Sequence, residues 1–226
     1  MLYITGDTHM PTDIGKLNTR NFPDQKQMTK NDYVIICGDF GGVWDGGKED
    51  RFWQKWLDDK LFTTLFVDGN HENFDLLGQC ETTELLGGKV RRVSKSVFQL
   101  LRGEVYVIEG KTFFAMGGAS SHDKAVRKEG RNWWAGELPS DAEYQNARDN
   151  LGRHGWAVDY ILSHCSPDSI HDRLTSTYPN DGLTFFLEHV VKADCVYEQW
   201  FFGHYHVDVD VDPKHICLFQ RVLRLL

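Results

Sequence analysis

Five short blocks of residues in this sequence carry side chains that can bind metal ions. In chain order they are Gly6-Asp7-Thr8-His9, Gly38-Asp39, Gly69-Asn70-His71-Glu72, Ser163-His164 and Gly203-His204-Tyr205-His206. Each block comes at the end of a short run of β-branched, aromatic or aliphatic residues that predicts a buried strand. Because strand ends on one edge of a sheet converge, residues far apart in sequence can meet there. The placement of the blocks therefore predicts one shared site.

The side-chain types in these blocks indicate which ions would bind. Carboxylate, imidazole and amide oxygen together suit divalent transition metals such as manganese, iron or zinc better than an all-oxygen calcium site or a thiolate zinc site. The seven candidate metal ligands are Asp7, His9, Asp39, Asn70, His164, His204 and His206. Such a set exceeds the need of one ion but suits two ions about 3.5 to 4 Å apart that share a carboxylate. We assign the shared position to Asp39.

Taken one at a time, most blocks also fit a role without metal. Asp7 and His9 alone fit a turn at a strand end, and His164 alone fits a satisfied histidine in the core. The pair His204 and His206 is the most informative single block, since two histidines at alternate positions after an apolar strand project together. The metal-site interpretation therefore depends on the combination of blocks.

The five blocks, in this order, resemble the signature of the calcineurin-like metallophosphoesterase family: DxH, GD, GNH followed by Glu or Asp, a lone His, and GHxH. The matching residues span the chain from Asp7 to His206. The resemblance implies two metal ions, one held by Asp7, His9, Asp39 and His206 and the other by Asp39, Asn70, His164 and His204. It also implies phosphoester hydrolysis by a metal-bound hydroxide in an in-line attack on phosphorus. His71 would be the catalytic residue that stabilises the transition state or protonates the leaving oxygen.

The resemblance does not choose the substrate. Many relatives carry a further aspartate or asparagine shortly after the second block, whereas Asp39 is followed here by Phe40-Gly41-Gly42-Val43-Trp44-Asp45. A phosphatase and a phosphodiesterase therefore both fit. Two other functions remain open: a nuclease or nucleotide phosphodiesterase with the same metal site, and a catalytically silent metal-binding scaffold.

Three residues outside the blocks are candidates for supporting roles. Asp75, four residues after His71, could orient that imidazole by hydrogen bonding, and a charge at a helix N-terminus is the alternative. Arg127 and Arg131 lie in a long charged loop and could bind the substrate phosphate, because guanidinium matches phosphate geometry. A solvated loop surface is the alternative for both arginines.

The apolar pattern predicts the elements that position these blocks. Strands are expected at 2–5, 33–37, 65–67, 160–162 and 200–202, and a helix at 49–58. Strand-like runs over 89–116 predict hairpins at Ser94-Lys95, Arg102-Gly103 and Glu109-Gly110. A long loop at 117–139 should precede a helix capped by Ser140 and Glu143. The family resemblance implies an α/β (α+β) fold, a two-sheet mixed β-sandwich flanked by helices, and we expect one domain over residues 1–226.

Composition limits the remaining partners and compartments. The formal net charge of -8 argues against a long nucleic acid as partner, which leaves a small-molecule or protein phosphoester as the expected substrate. The five cysteines are scattered without a CxxC pair, which favours a reducing cytoplasm over a disulfide framework. The absence of a basic leader and of a long apolar stretch leads us to expect neither secretion nor membrane insertion. Oligomeric state is not constrained by composition.

Overall fold

Two mixed β-sheets, of seven and six strands, form the centre of the fold in the computed structural model, which describes residues 1–226. The strands are β1 (Leu2–Thr5), β2 (Tyr33–Cys37), β3 (Thr63–Val67), β4 (Glu81–Leu85), β5 (Gly88–Arg92), β6 (Val97–Leu100), β7 (Val105–Ile108), β8 (Lys111–Met116), β9 (Tyr160–Ser163), β10 (Gln199–Phe202), β11 (Val209–Asp210), β12 (His215–Cys217) and β13 (Leu223–Arg224). The first sheet has the order β13-β1-β2-β3-β6-β5-β4, and the second has β11-β12-β10-β9-β8-β7. The predicted two-sheet mixed fold is confirmed.

The helices flank these sheets. They are α1 (Lys48–Asp58), α2 (Phe74–Leu77), α3 (Asp141–Arg153), α4 (Asp168–Leu174) and α5 (Gly182–Phe186), which runs on into a π-helical turn, Leu187–Lys192. The predicted cap of α3 is confirmed: the Ser140 hydroxyl accepts from the Glu143 amide, and the Glu143 carboxylate accepts from the Ser140 amide. None of these helices combines the length and the apolar character that a membrane crossing requires.

The strand period of two explains how the layers pack. Along β1 and β2, alternate side chains point to opposite faces of the sheet. Ile4 and Ile35 pack in the cluster shared by the two sheets. Tyr3 and Val34 pack instead against the elements on the outer face. Because these strands are buried on both faces, they read in sequence as continuous apolar runs.

Parallel pairing brings the predicted blocks to one edge. β2 lies between β1 and β3 and is parallel to both, and β9 and β10 are parallel neighbours in the second sheet. The first three blocks therefore follow adjacent strands of one sheet, and the last two follow adjacent strands of the other. Asp7, Asp39 and Asn70 thus face His164 and His204 across the mouth of the sandwich.

The predicted hairpin at Arg102-Gly103 is wrong. β6 pairs with β5 in the first sheet, whereas β7 pairs with β8 in the second, so this segment carries the chain between sheets. The turn at Glu109-Gly110 does close a hairpin, and both residues have positive φ, 53° and 77°, as a tight two-residue turn requires. The Arg102-Gly103 segment forms no such hairpin turn, and the Arg102 side chain is instead buried in an ion pair.

That ion pair joins the end of β3 to the long loop. The Arg102 guanidinium donates from Nε to Asp68 Oδ2 at 2.9 Å and from Nη2 to the Gly136 carbonyl at 2.8 Å. Both charged side chains are almost wholly buried, with 4% of Arg102 and 1% of Asp68 exposed. Since Asp68 lies two residues before Asn70, the pair holds the backbone that carries a predicted metal ligand.

We expect Arg102→Leu to lower the free energy of unfolding of the metal-free protein by about 3 to 5 kcal/mol, because it leaves the Asp68 carboxylate buried without its counter-charge. The measurement is urea unfolding in the presence of a chelator, so that metal binding does not contribute to the stability.

A double variant separates charge from packing. Arg102→Leu with Asp68→Asn removes both charges and should be more stable than the single variant. Lys55→Ala is the control, because its pair with Asp59 is 74% and 64% exposed and should contribute under about 1 kcal/mol. Equal stability losses in Arg102→Leu and Lys55→Ala would contradict a stabilising role for the buried pair of Arg102 with Asp68.

Candidate metal centre

Four of the predicted ligands form a tight group at the sheet edge. The ligand atoms of Asp7, His9, Asp39 and His206 all lie within 4.8 Å of one another. His9 Nε2 is 3.1 Å from Asp39 Oδ2, and His206 Nε2 is 3.2 Å from Asp7 Oδ2. Both carboxylates are buried, whereas His206 is half exposed. The group therefore opens towards solvent on one side.

The other predicted ligands lie on the opposite side of Asp39. His164 Nε2 is 3.3 Å from Asp39 Oδ1 and 3.3 Å from Asn70 Oδ1. The other ring nitrogen of His164 lies 2.9 Å from the Cys37 carbonyl, which orients the imidazole. The His204 ring packs edge-on against His164, with ring centroids 4.9 Å apart. The two oxygens of Asp39 thus face two different sets of ligands.

The backbone at this edge is strained where the ligands sit. Seven residues other than glycine have positive φ, and four of these are predicted ligands: His9, Asp39, His204 and His206. Each such conformation costs on the order of 1 to 3 kcal/mol for a residue with a Cβ and persists where the surroundings enforce it. Strain of this kind concentrates at functional sites.

Two glycines allow the ligands to approach so closely. A Cβ at Gly69 would lie 2.1 Å from Asp39 Oδ1, and a Cβ at Gly203 would lie 2.1 Å from Asp7 Oδ1. Any side chain at either position would displace a carboxylate. The glycines of the third and fifth blocks are therefore required by packing around the site.

Electrostatics at the centre favour positive charge between the ligands. Burial alone would raise the pKa of Asp39, but the imidazoles of His164 and His9 outweigh it and hold that pKa well below its usual range. Burial likewise opposes protonation of the two histidines, yet Asp39 outweighs it and raises the pKa of His9 to about 9 and of His164 to about 10. The carboxylates thus attract cations, which can be protons or metal ions.

The donor set fits divalent transition metals. Burial and the neighbouring His164 lower the pKa of His204 well below its usual range, so its ring is neutral and has a free lone pair. A neutral imidazole is the form that ligates metals. Together with the buried carboxylates and the amide oxygen of Asn70, this ring completes a set of oxygen and nitrogen donors that suits manganese, iron or zinc.

A carboxylate orients His9 rather than His71. His9 Nδ1 lies 2.9 Å from Asp13 Oδ2, so the opposite nitrogen points at Asp39. Asp75, predicted to orient His71, instead accepts a hydrogen bond from the Trp134 indole at 2.9 Å. Both aspartates lie four residues after a histidine. Asp75 lies in the first turn of α2, the alternative position considered for it, and the spacing does not reveal that Trp134 reaches it from the long loop.

Two further carboxylates support the ligand loops. Buried Glu72 accepts hydrogen bonds from the Phe40 amide at 2.7 Å and the Gly41 amide at 3.3 Å, which ties the third block to the loop after Asp39. Burial raises the pKa of Glu72 to about 8. Glu137, also buried, accepts from the amide and the hydroxyl of Ser121, both at 2.9 Å.

Ser121 in turn contacts a predicted ligand. The Asn70 side-chain nitrogen donates to the Ser121 hydroxyl at 3.3 Å, which leaves Asn70 Oδ1 directed at His164 Nε2. Ser121 and Glu137 lie in the long segment between β8 and α3, where the sequence has no periodicity or motif that would single them out. The hydrogen bonds from Asn70 to Ser121 and from Ser121 to Glu137 therefore orient the Asn70 amide, so that its oxygen faces the other predicted ligands.

We expect Ser121→Ala to weaken binding of the ion nearest Asn70 by about 10- to 100-fold, because the amide loses the partner that orients it. Titration of the metal-free protein against a chelating dye measures this change. The adjacent Ser120→Ala is the matched control, since the Ser120 hydroxyl makes no hydrogen bond in the structure and its loss should leave affinity unchanged. Equal affinities in the two variants would remove Ser121 from the support of Asn70.

Of the two arginines predicted to bind the substrate phosphate, only Arg127 lies beside the predicted ligands. Arg127 Nη2 is 3.4 Å from His71 Nε2, and its Nε pairs with Asp123 at 2.6 Å, so this guanidinium lies beside the centre. Arg131 is exposed, and its side chain makes no hydrogen bond or ion pair with the predicted ligands. Burial lowers the pKa of His71, with help from the nearby cations of His9 and Arg127. A neutral His71 thus stands between Arg127 and the metal ligands.

Comparison with known proteins agrees with this geometry. No curated protein sequence matches the chain. The family model described as calcineurin-like phosphoesterase matches residues 2–208, which contain all five blocks and both sheets except for the last strands. Since the match covers most of the 226 residues, the chain belongs to the calcineurin-like phosphoesterase family.

Proposed function

We propose that this protein hydrolyses phosphoesters at a centre of two divalent transition-metal ions. The observation that carries the proposal is the group of Asp7, His9, Asp39 and His206, whose ligand atoms lie within 4.8 Å of one another. These residues would hold one ion. The other ion would be held by Asp39, Asn70, His164 and His204. When bound, such ions lower the pKa of water and neutralise phosphate oxygens.

The protein's own groups would position the ester and move a proton. Neutral His71 would accept a proton at Nε2, the atom 3.4 Å from Arg127, and then pass that proton to the leaving oxygen as it departs. The Arg127 guanidinium would bind a non-bridging phosphate oxygen, and its bond to Asp123 fixes its direction. Arg131, which is exposed, would contribute only to the approach of an anionic substrate.

Metal analysis and an ester panel test this function together. We expect two equivalents of metal per chain, and turnover of p-nitrophenyl phosphate or bis-p-nitrophenyl phosphate with added manganese. A chelator should abolish turnover, and manganese should restore it. The ratio of monoester to diester rates separates a phosphatase from a phosphodiesterase.

Two results would contradict the proposal. A chain that binds two ions tightly and hydrolyses no ester in the panel would be a metal-binding scaffold. A chain whose turnover survives complete removal of metal would use a different mechanism. Hydrolysis of long nucleic acid at the same rate as the small esters would support a nuclease, against the repulsion expected from a net charge of -8.

A further inference from the structure

A cavity of about 600 Å³ adjoins the predicted metal centre. His9, His71 and His206 form its inner end, and the other walls come from residues 10–13, the glycine-rich segment after β2, and the first turns of α1. The volume lies within the range of pockets for small organic ligands. A phosphate bound at the histidines would therefore leave space in the same cavity for the group esterified to it.

Apart from the three histidines, the cavity is lined mainly by acidic and aromatic side chains and by glycines. Its charged residues are four carboxylates, from Asp13, Asp45, Glu49 and Asp50, and neither lysine nor arginine lines it. Trp44 and Trp53 supply indole rings, and both side chains are partly exposed. An anionic leaving group would be repelled here, whereas a cation would gain from the carboxylates and from the indole rings.

The four carboxylates do not play the same part. Asp13 is bound to His9, and Asp50 accepts three backbone amides, from Trp44, Asp45 and Gly46, at 2.7 to 3.0 Å. These two shape the walls, and Asp45 accepts a hydrogen bond from the Gly47 amide at 2.6 Å. Glu49 is exposed on the first turn of α1 and makes no hydrogen bond or ion pair within the chain. Its charge is therefore the one most available to a ligand.

From this arrangement we infer that the leaving group of the substrate is a small alcohol that carries an ammonium group. The inference rests on the proposed function, since it places the phosphate of the same ester at the metal centre. The cavity is then bipolar: phosphate at the histidine end and ammonium between Glu49 and Trp53. In the reaction, water forms the new P–O bond, the bond from phosphorus to the alcohol oxygen breaks, and that oxygen takes up a proton.

A pair of esters equal in shape isolates the charge. Phosphocholine carries a quaternary nitrogen, and 3,3-dimethylbutyl phosphate has a quaternary carbon in its place. With manganese added, we expect kcat/KM to be at least roughly tenfold higher for phosphocholine. Glu49→Gln and Trp53→Leu should each reduce that ratio towards one. Glu84→Gln, a neutralised carboxylate on the exposed edge strand β4, is the matched control and should keep the wild-type ratio.

Binding of the alcohol alone separates this inference from the proposed function. Choline should quench tryptophan fluorescence of the metal-free protein at lower concentration than 3,3-dimethylbutanol, and Trp53→Leu should remove the difference. Choline binding without hydrolysis of any ester would overturn the phosphoesterase proposal and leave the cation pocket standing. Hydrolysis at equal rates for the two esters, or a preference for adenosine monophosphate over phosphocholine, would overturn the pocket and leave the phosphoesterase proposal standing.

Discussion

Asp39→Asn should lower kcat/KM on the best phosphoester by more than about 10³-fold and weaken binding of both metal ions. The two oxygens of Asp39 face different ligand sets, with His9 3.1 Å from Oδ2 and His164 3.3 Å from Oδ1. Loss of one group that stabilises a transition state already costs about 10²- to 10³-fold. Loss of the shared carboxylate affects two ions at once. Metal content by mass spectrometry and steady-state kinetics measure the two effects.

Asparagine is the informative replacement because Asp39 has φ of 44°, a left-handed conformation that asparagine tolerates. The variant therefore tests charge with little change in backbone strain. Asp59→Asn is the control, since Asp59 is 64% exposed and lies in a surface pair at the end of α1. If Asp39→Asn lost only one of two ions, the shared position would belong to another residue. Wild-type metal content with wild-type kinetics would remove Asp39 from the centre.

Short-range patterns predicted the elements that carry the site. β1 and β2 begin and end where their apolar runs do, at Leu2–Thr5 and Tyr33–Cys37, because strands buried on both faces have a continuous apolar signal. The edge strand β4, Glu81–Leu85, was not predicted, because its side chains are mostly exposed and polar. Its pairing with β5 provides the stability that its own sequence does not indicate.

Which sheet a strand joins is a long-range choice. The segment at Arg102-Gly103 has residues typical of a turn, so the local sequence predicts a hairpin there. In the structure the segment crosses between the sheets, and Arg102 reaches Asp68 at the end of β3, 34 residues away in sequence. No local pattern contains that contact. Residue spacing therefore could not predict that the chain passes from the first sheet to the second after β6.

The residues that hydrogen-bond to the predicted ligands were likewise not predictable from local sequence. The predicted ligands sit at strand ends, so their positions follow from strand prediction and from the family motif. Their partners lie on loops: Asp13 for His9, and Ser121 with Glu137 for Asn70. A loop brings such residues into place through its path in space. Asp13 and Asp75 have the same spacing from a histidine, and only the tertiary structure distinguishes them.

His71→Ala should keep both metal ions and lose about 10²- to 10⁴-fold in kcat, the usual contribution of a group that transfers a proton. His71 belongs to neither ligand set, and its ring packs edge-on against His9 with centroids 5.2 Å apart. The metals can thus bind without it, while the leaving oxygen loses its proton donor. An ester with a nitrophenol leaving group, which departs without protonation, should lose less than an alkyl ester. His154→Ala, on an exposed histidine at the end of α3, should change neither rate. Equal losses on both esters would assign His71 to binding of the phosphate, and an unchanged kcat would exclude it from the reaction.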